Sequence, residues 1–394
     1  MPRTEGEGDG QQTAIAIIGA GAAGLSAAAA LNTRGYEAIV FDKDERIGGT
    51  WSRRYERLSL HTIRRFSGLA HYAIPSAYPR YVPKDLFAEY LQDYAAHFGL
   101  NVLLSQAVRK VRPLVGSTLW ELETDSGAWR ARVVIIATGH YNEHVLPRWP
   151  GMEDFRGRLL HSADYDSGAR FAGRRTLVIG IGNSGAEIAS DLVEQGAAYV
   201  AISVRTSPPI MPRDLFGVVP VQLFGIALTP VPAPRLLDRA GAVVRRIGVG
   251  DLRKYGLGKA AWGPFTARRP AVIDVGFLRD LKRGRINVRP SVSRFTLGGV
   301  AFIDGSEEDF DVVVAATGFG TGLAQLLDVP GTVGEDGQPR FRSGRPTAFP
   351  GLYFMGFDET VRGHLFEARR ESKRLARSVA AYLEQSGEAT ATRS

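Results

Sequence analysis

Thr176-Leu177-Val178-Ile179-Gly180-Ile181-Gly182-Asn183-Ser184-Gly185 is an apolar run that stops on three glycines spaced G-x-G-x-x-G. The same arrangement stands near the start of the chain, where Ala14-Ile15-Ala16-Ile17-Ile18 leads into Gly19-Ala20-Gly21-Ala22-Ala23-Gly24. Each reads as a strand, a tight loop and a helix. The first glycine permits the turn, the second lets backbone approach a pyrophosphate, and the third lets helix and strand pack closely. The helix then offers free N–H groups and a partial positive charge to the phosphates. One such loop is weak evidence. Two, each in strand-loop-helix context, predict an α/β protein with two Rossmann-like dinucleotide-binding domains.

The strand after each loop separates their ligands. The strand Ala38–Phe41 ends at Asp42, where a carboxylate accepts from ribose hydroxyls. After the strand Tyr199–Val204, the second loop has Arg205-Thr206 and no acid, and a cation there suits a 2′-phosphate. The first loop is therefore assigned FAD and the second NADPH. Gly48-Gly49 before Trp51 reads either as a simple turn or as further backbone close to a ligand, and Gly49 and Trp51 are taken as candidate cofactor contacts. The strand from Val133 ends in Thr138-Gly139, the strand from Phe310 echoes it in Thr317-Gly318, and a third short strand ends at Gly356. These five join Ser184 in the candidate cofactor set. The second unit reads as inserted in the first. FAD-binding residues span 13–160 and 305–385, and the NADP-binding domain spans 161–304 with an apolar lid at 207–269. Residues 1–12 and 386–394 are expected to be a disordered leader and a flexible tail. Helical spacing marks 85–98, a region near 235–247, and a basic amphipathic helix over 365–385.

The 394 residues carry a net charge of +8 with no long basic run, which argues against a nucleic-acid partner. The chain has no cysteine, so disulfides, thiolate metal sites and redox dithiols are excluded. No metal site is expected, and a cytoplasmic setting fits. Leu215–Pro234 is apolar and of bilayer-spanning length, but Pro220, Pro230, Pro232 and Pro234 argue against one continuous helix. A buried lid or channel wall is the favoured reading, with peripheral membrane contact kept open.

A flavin and a nicotinamide on one chain imply that NADPH passes a hydride to FAD and the flavin passes electrons on. A disulfide acceptor fails without cysteines. A protein or quinone acceptor, dioxygen, or a flavin-binding role without turnover remain. Phe155, Gly157, His161 and Tyr165 form F-x-G-x-x-x-H-x-x-x-Y just before the second loop, which resembles the identifying sequence of the flavin-containing monooxygenases. Ile47–Trp51, Tyr55–His61, Gly180–Leu192, Met211–Arg213, Val272–Gly276 and Ala315–Phe319 extend the resemblance, which points to the YUCCA-type branch that decarboxylates indole-3-pyruvate.

The resemblance implies dioxygen as acceptor, a C4a-peroxyflavin, and one oxygen atom inserted into a small organic substrate. N- or S-oxygenation by a tailoring enzyme and an NADPH-dependent flavin reductase are the alternatives. The resemblance makes Phe155–Tyr165 a linker that orders NADP, with His161 structural or cofactor-facing. It places His61 where animal-type enzymes have an asparagine beside the flavin, and Asn183 at the flavin–nicotinamide junction. Tyr165 stands where Baeyer–Villiger enzymes carry Trp. Arg213 or Arg64 would hold a substrate carboxylate. A monomer or homodimer is expected.

Overall fold

The computed structural model describes residues 11–385. Two sheets carry the two glycine loops, the first parallel except for an antiparallel edge made by Trp120–Thr124 and Val108–Pro113, the second parallel throughout. The first has the order Asn101–Leu103, Ile39–Phe41, Gln11–Ile18, Gly127–Ile136, Trp120–Thr124, Val108–Pro113, and Leu352–Phe354 also pairs with Gly127–Ile136. The second has the order Asn287–Arg289, Tyr199–Ser203, Arg175–Ile179, Val312–Ala315, Arg158–His161. Ile15, Ile17, Val133 and Ile135 are fully buried on one side of the first sheet, and Val134, Ile136 and Phe354 on the other. Strands buried on both faces read as continuous apolar runs, which is why both glycine loops are preceded by one. The helix His364–Gln385 closes the first unit against Ala22–Asn32, with Ser26 bonded to Ser372 at 3.0 Å.

The two units repeat one local design. Gly19 N–H donates to Phe41 O at 2.8 Å, and Gly180 N–H to Ser203 O at 2.9 Å. Ala137 N–H donates to Ile18 O, and Ala316 N–H to Ile179 O, each at 2.9 Å. A Cβ on Gly19 would lie 2.6 Å from Ala137 O, and one on Gly180 2.5 Å from Ala316 O. Both glycines have φ above 100°. The turn after Val312–Ala315 therefore stands to the second loop as Ala137-Thr138-Gly139 stands to the first.

This moves the expected boundaries. Arg158–His161 and Val312–Ala315, placed by sequence at the edges of the FAD-binding part, hydrogen-bond into the second sheet. The echo between Thr138-Gly139 and Thr317-Gly318 is not one unit resuming; it is the same strand repeated in each unit. The F-x-G-x-x-x-H-x-x-x-Y run is likewise not a bare linker. It opens with an outer strand of the second sheet, where His161 pairs with Ala315 as Phe354 pairs with Ile136 in the first. Of the expected leader, residues 1–10 lie outside the described residues, and Gln11-Gln12 begin the first strand beside Trp129 and Arg130. The expected tail, 386–394, also lies outside them.

The lid region folds as a hairpin, Asp214–Leu215 with Val219–Pro220, followed by the helices Val221–Leu228 and Pro234–Val249. Its inner side is seated. Leu215, Gln222 and Gly225 are buried, and a Cβ on Gly225 would overlap the Val361 carbonyl. It is only in part the buried lid or channel wall favoured from sequence, because Phe216, Val218, Phe224 and Val231 face water. Apolar composition cannot say which side of a segment is covered. No helix among the described residues is long and apolar enough to cross a membrane.

Candidate active site

The two glycine loops are connected by chain crossings that pair with each other. Glu143–His144 runs antiparallel to Phe319–Gly320, and Asn142 donates to Thr138 O, Gly139 O and Thr321 O at 2.9 to 3.2 Å. A third segment, 53–63, straps the first unit to the second. Glu56 N–H donates to Asp166 O, Arg57 donates to Glu187 O and Val275 O, and His61 Nε2 lies 2.5 Å from Glu187 Oε1. Glu187 is on the helix Asn183–Glu194 that the second loop opens, and it is 3% exposed. Buried Tyr55 faces Ser184 and Glu187, and burial, then the Glu187 charge, pushes its phenol up.

Sequence patterns single out His61 but neither Glu187, which aims it, nor Arg54. The Arg54 guanidinium stacks over Tyr141 at 5.2 Å and Phe319 at 4.8 Å, one ring from each crossing. Burial holds it below the ordinary arginine value. The signal available is the run Arg53-Arg54-Tyr55-Glu56-Arg57, dense in charge for a loop between two glycine motifs.

The loops fit dinucleotides. Gly21 and Gly182 begin their helices with φ of −77° and −79°, which any residue adopts. A Cβ on either would have no protein atom within 4 Å, and neither would one on Gly139 or Gly318. The glycines therefore keep open the space in front of two helix N-termini, where a pyrophosphate binds. Thr138 Oγ1 is buried beside the first loop without a partner, a group a ligand there would satisfy. Gly24 and Gly185 serve packing instead, since a Cβ would overlap the carbonyls of Gly19 and Gly180.

Asp42 accepts from Ala20 N at 2.5 Å and Asp44 N at 2.8 Å, so its carboxylate is held at the loop; burial pushes it up against those bonds. In the second unit Val204 occupies the corresponding place, its N–H bonded to Arg289 O as Asp42 N–H is to Leu103 O. Arg205 and Thr206 come next, both exposed. Gly48 takes φ of 76° and packs on the Ala88 backbone, Gly49 is filled by Arg53 and Asp44, and Trp51 meets the Phe87 ring edge-on at 4.7 Å. This pair thus serves a close helix contact. Gly356 has φ of 81°, and a Cβ there would lie 2.5 Å from Ala23. Thr317 Oγ1 donates to Val145 O.

His161 Nδ1 accepts from Ala163 N at 3.2 Å, so Nε2 carries the hydrogen and donates to Gly318 O at 3.1 Å. The ring stacks on His144 at 4.7 Å, and burial, then His144, lowers its pKa. A neutral imidazole with both nitrogens committed holds the second turn and moves no proton. Tyr165 donates to Asp191 Oδ2 at 2.6 Å, and Gly157 leaves room for the Phe155 ring and the Asp311 carbonyl. Asn183 Oδ1 accepts from Ile273 N at 2.8 Å, which ties the loop to Val272–Asp274 and leaves the Nδ2 amide to donate. No cluster able to hold a metal occurs among the described residues.

A family profile described as "Flavin-binding monooxygenase-like" matches residues 12–329. The indole-3-pyruvate monooxygenase YUCCA1 of Oryza sativa subsp. japonica is 37% identical over 380 residues, covering 89% of this chain and 87% of that protein. The probable indole-3-pyruvate monooxygenase YUCCA4 of Arabidopsis thaliana is 33% identical over 356 residues, covering 86% and 84%. Among solved structures, a flavin-containing monooxygenase from Stenotrophomonas maltophilia superimposes with a TM-score of 0.73 at 25% identity, covering 94% of this chain and 99% of that one.

Gly21→Val should cost about 1 kcal/mol of unfolding stability, the loss of a glycine N-cap with no protein atom displaced, yet abolish FAD retention. Denaturant melts of flavin-depleted protein and the flavin-to-protein absorbance ratio separate the two effects, and full flavin occupancy in the variant would refute the assignment. A second expectation concerns Glu371, which is 1% exposed and accepts from Gly356 N. Burial, then Asp358, raises its pKa to about 8. Its folded value lies above its unfolded one, so its stabilisation is complete below the ordinary glutamate range and is lost as pH rises toward 8. The denaturation midpoint of flavin-depleted protein should fall over that window, and Glu371→Gln should flatten the fall; parallel curves would contradict it.

Proposed function

The chain belongs to the flavin-binding monooxygenase-like family, and from that premise we propose that it oxidatively decarboxylates an aryl α-keto acid of the indole-3-pyruvate type. It is an NADPH- and O2-dependent flavin monooxygenase with FAD and NADPH as cofactors. The overall reaction converts R-CO-COOH, O2, NADPH and H+ into R-COOH, CO2, NADP+ and water. When bound, the two cofactors supply the two electrons that split dioxygen between substrate and water.

The protein's part is to hold, orient and exclude. Gly19, Gly21, Asp42, Thr138, Gly139 and Gly356 are assigned to FAD, with Gly24 closing the helix onto its loop and Gly49 and Trp51 in the segment packed against Phe87 and Ala88. Gly180, Gly182, Ser184, Arg205, Thr206, Thr317 and Gly318 are assigned to NADPH, with Gly185 closing the helix onto its loop and His161 anchoring the turn at Gly318. His61, aimed by Glu187, and Asn183, through its Nδ2 amide, are assigned to the reacting end at the junction. Arg213 ties the hairpin Asp214–Pro220 to the strap at Ser59, and the strap and the inner side of the hairpin are assigned to keep water from that junction, which would strengthen every polar contact inside.

The observation that carries the keto-acid reading, beside the likeness to two indole-3-pyruvate enzymes, is Arg213. Of the two arginines considered, Arg64 is bonded to the Tyr78 carbonyl. Arg213 lies over the Tyr81 ring at 3.8 Å, reaches only the Ser59 hydroxyl, at 3.3 Å, and has no carboxylate partner among the described residues. Its neighbour Asp214 is taken by Arg80 and Tyr81. A half-buried guanidinium held against a neutral partner on the same strap as His61 suits a carboxylate.

Oxygen-dependent NADPH consumption should therefore be fastest with indole-3-pyruvate or phenylpyruvate, yielding CO2 and the shortened acid. A preference for amines or sulfides would overturn the reading. Arg213→Ala should raise KM for the keto acid by roughly ten- to a hundredfold, the size of a charged hydrogen bond, while substrate-free NADPH oxidation holds. Arg205→Ala should raise KM for NADPH by about tenfold and leave NADH unchanged; equal effects on both would exclude a 2′-phosphate contact.

A further inference from the structure

Nine of the fifteen large apolar side chains exposed among the described residues lie between 216 and 247. At the hairpin tip, Phe216 is 83% and Val218 68% exposed. Phe216 has φ of 52°, a left-handed backbone uncommon for a bulky residue, and Gly217 comes after it at 71°. The turn thus holds the ring outward at a conformational cost. The second patch is the helix Pro234–Val249, which buries only Val249 of its sixteen residues. Leu236, Ala240, Val243 and Ile247 recur at helical spacing and are all exposed, so an apolar stripe runs the length of the helix on the side away from the protein. Arg235, Arg239 and Arg246 line one flank of it.

Charge is concentrated in the same segment. Residues 207–269 hold ten Lys and Arg against three Asp, so 10 − 3 = 7 of the chain's eight net positive charges fall there. The three carboxylates are used within the fold. Asp214 binds Arg80 and Tyr81, Asp238 accepts from Phe265 N and Thr266 N, and Asp251 pairs with Arg253. Arg235 and Arg239 have no carboxylate partner among the described residues, and Arg246 forms no ion pair among them, acting on Asp251 only through its charge while Arg253 holds that carboxylate.

We propose that this lobe docks the enzyme on an anionic phospholipid surface. Phe216, Val218 and the stripe Leu236–Ile247 enter the boundary between headgroups and acyl chains, and the flanking arginines meet the lipid phosphates while their stems lie along the apolar face. A second copy is the poorer occupant, because an isologous pair would set two lobes of charge +7 against each other. Docking is peripheral, in keeping with the absence of a membrane-crossing helix among the described residues. The surface is joined to the site through Gln222, which accepts from Ile63 N at 2.9 Å and donates to Arg362 O at 2.9 Å.

The test is co-sedimentation of the FAD-loaded enzyme with vesicles of phosphatidylcholine alone or mixed with phosphatidylglycerol. Binding should require phosphatidylglycerol and weaken as salt rises. Arg235→Glu/Arg239→Glu/Arg246→Glu should lower partitioning about a hundredfold or more, and Leu236→Ser/Ile247→Ser should lower it roughly tenfold. Flavin content and NADPH oxidation in solution should match the parent in both, which excludes misfolding. Equal sedimentation with and without anionic lipid at low salt would overturn the proposal. So would lipid binding that neither variant alters, or a dimer in analytical ultracentrifugation that these substitutions disperse.

Discussion

The pairing of Glu143–His144 with Phe319–Gly320 is the contact on which the arrangement of this enzyme depends. A hydride passes only between groups in van der Waals contact, so two nucleotide-binding units must present their loops to one junction. The chain crosses between them on each side of the second unit, and the crossings lie against each other as a ribbon. Two-residue strands supply few backbone bonds. The setting is reinforced by side chains: Asn142 bridging the two turns, Arg54 over Tyr141 and Phe319, and His61 bonded to Glu187.

Around that ribbon one local solution is used twice. The same glycine donates to the end of the neighbouring strand, and the same small residue sits beneath the loop. The third glycine yields to the same carbonyl. The units differ at the residue after the second strand. Asp42 closes onto Ala20 N–H in the first, whereas Val204 and the exposed Arg205 stand at that place in the second. On the proposed assignment, a shared backbone would serve two nucleotides by a change of charge at one strand end.

The two glycine loops are legible in sequence because their glycines answer to local geometry. So are the helices near 85–98, 235–247 and 365–385, whose apolar spacing is a property of the helix itself. Pairing is less legible. The Phe155–Tyr165 run looks like a linker because a four-residue edge strand carries little pattern of its own. Thr317-Gly318 looks like the first unit resuming, because identical turns in repeated units are indistinguishable without their partners. Glu187 escapes notice for a related reason. Its burial and its bond to His61 join residues 126 positions apart, and a glutamate in a helix reads as solvent-facing.

Residue chemistry along the chain is enough to establish two dinucleotide loops, the absence of any thiol chemistry and the family, since each rests on groups close in sequence or on composition. Folding in three dimensions decides which sheet each echoing strand joins, which glycines face open space and which face a carbonyl, which arginine is left with a neutral partner, and which side of the lobe meets water. Those outcomes depend on long-range packing, and a side chain's neighbours across the fold are not written in the residues beside it.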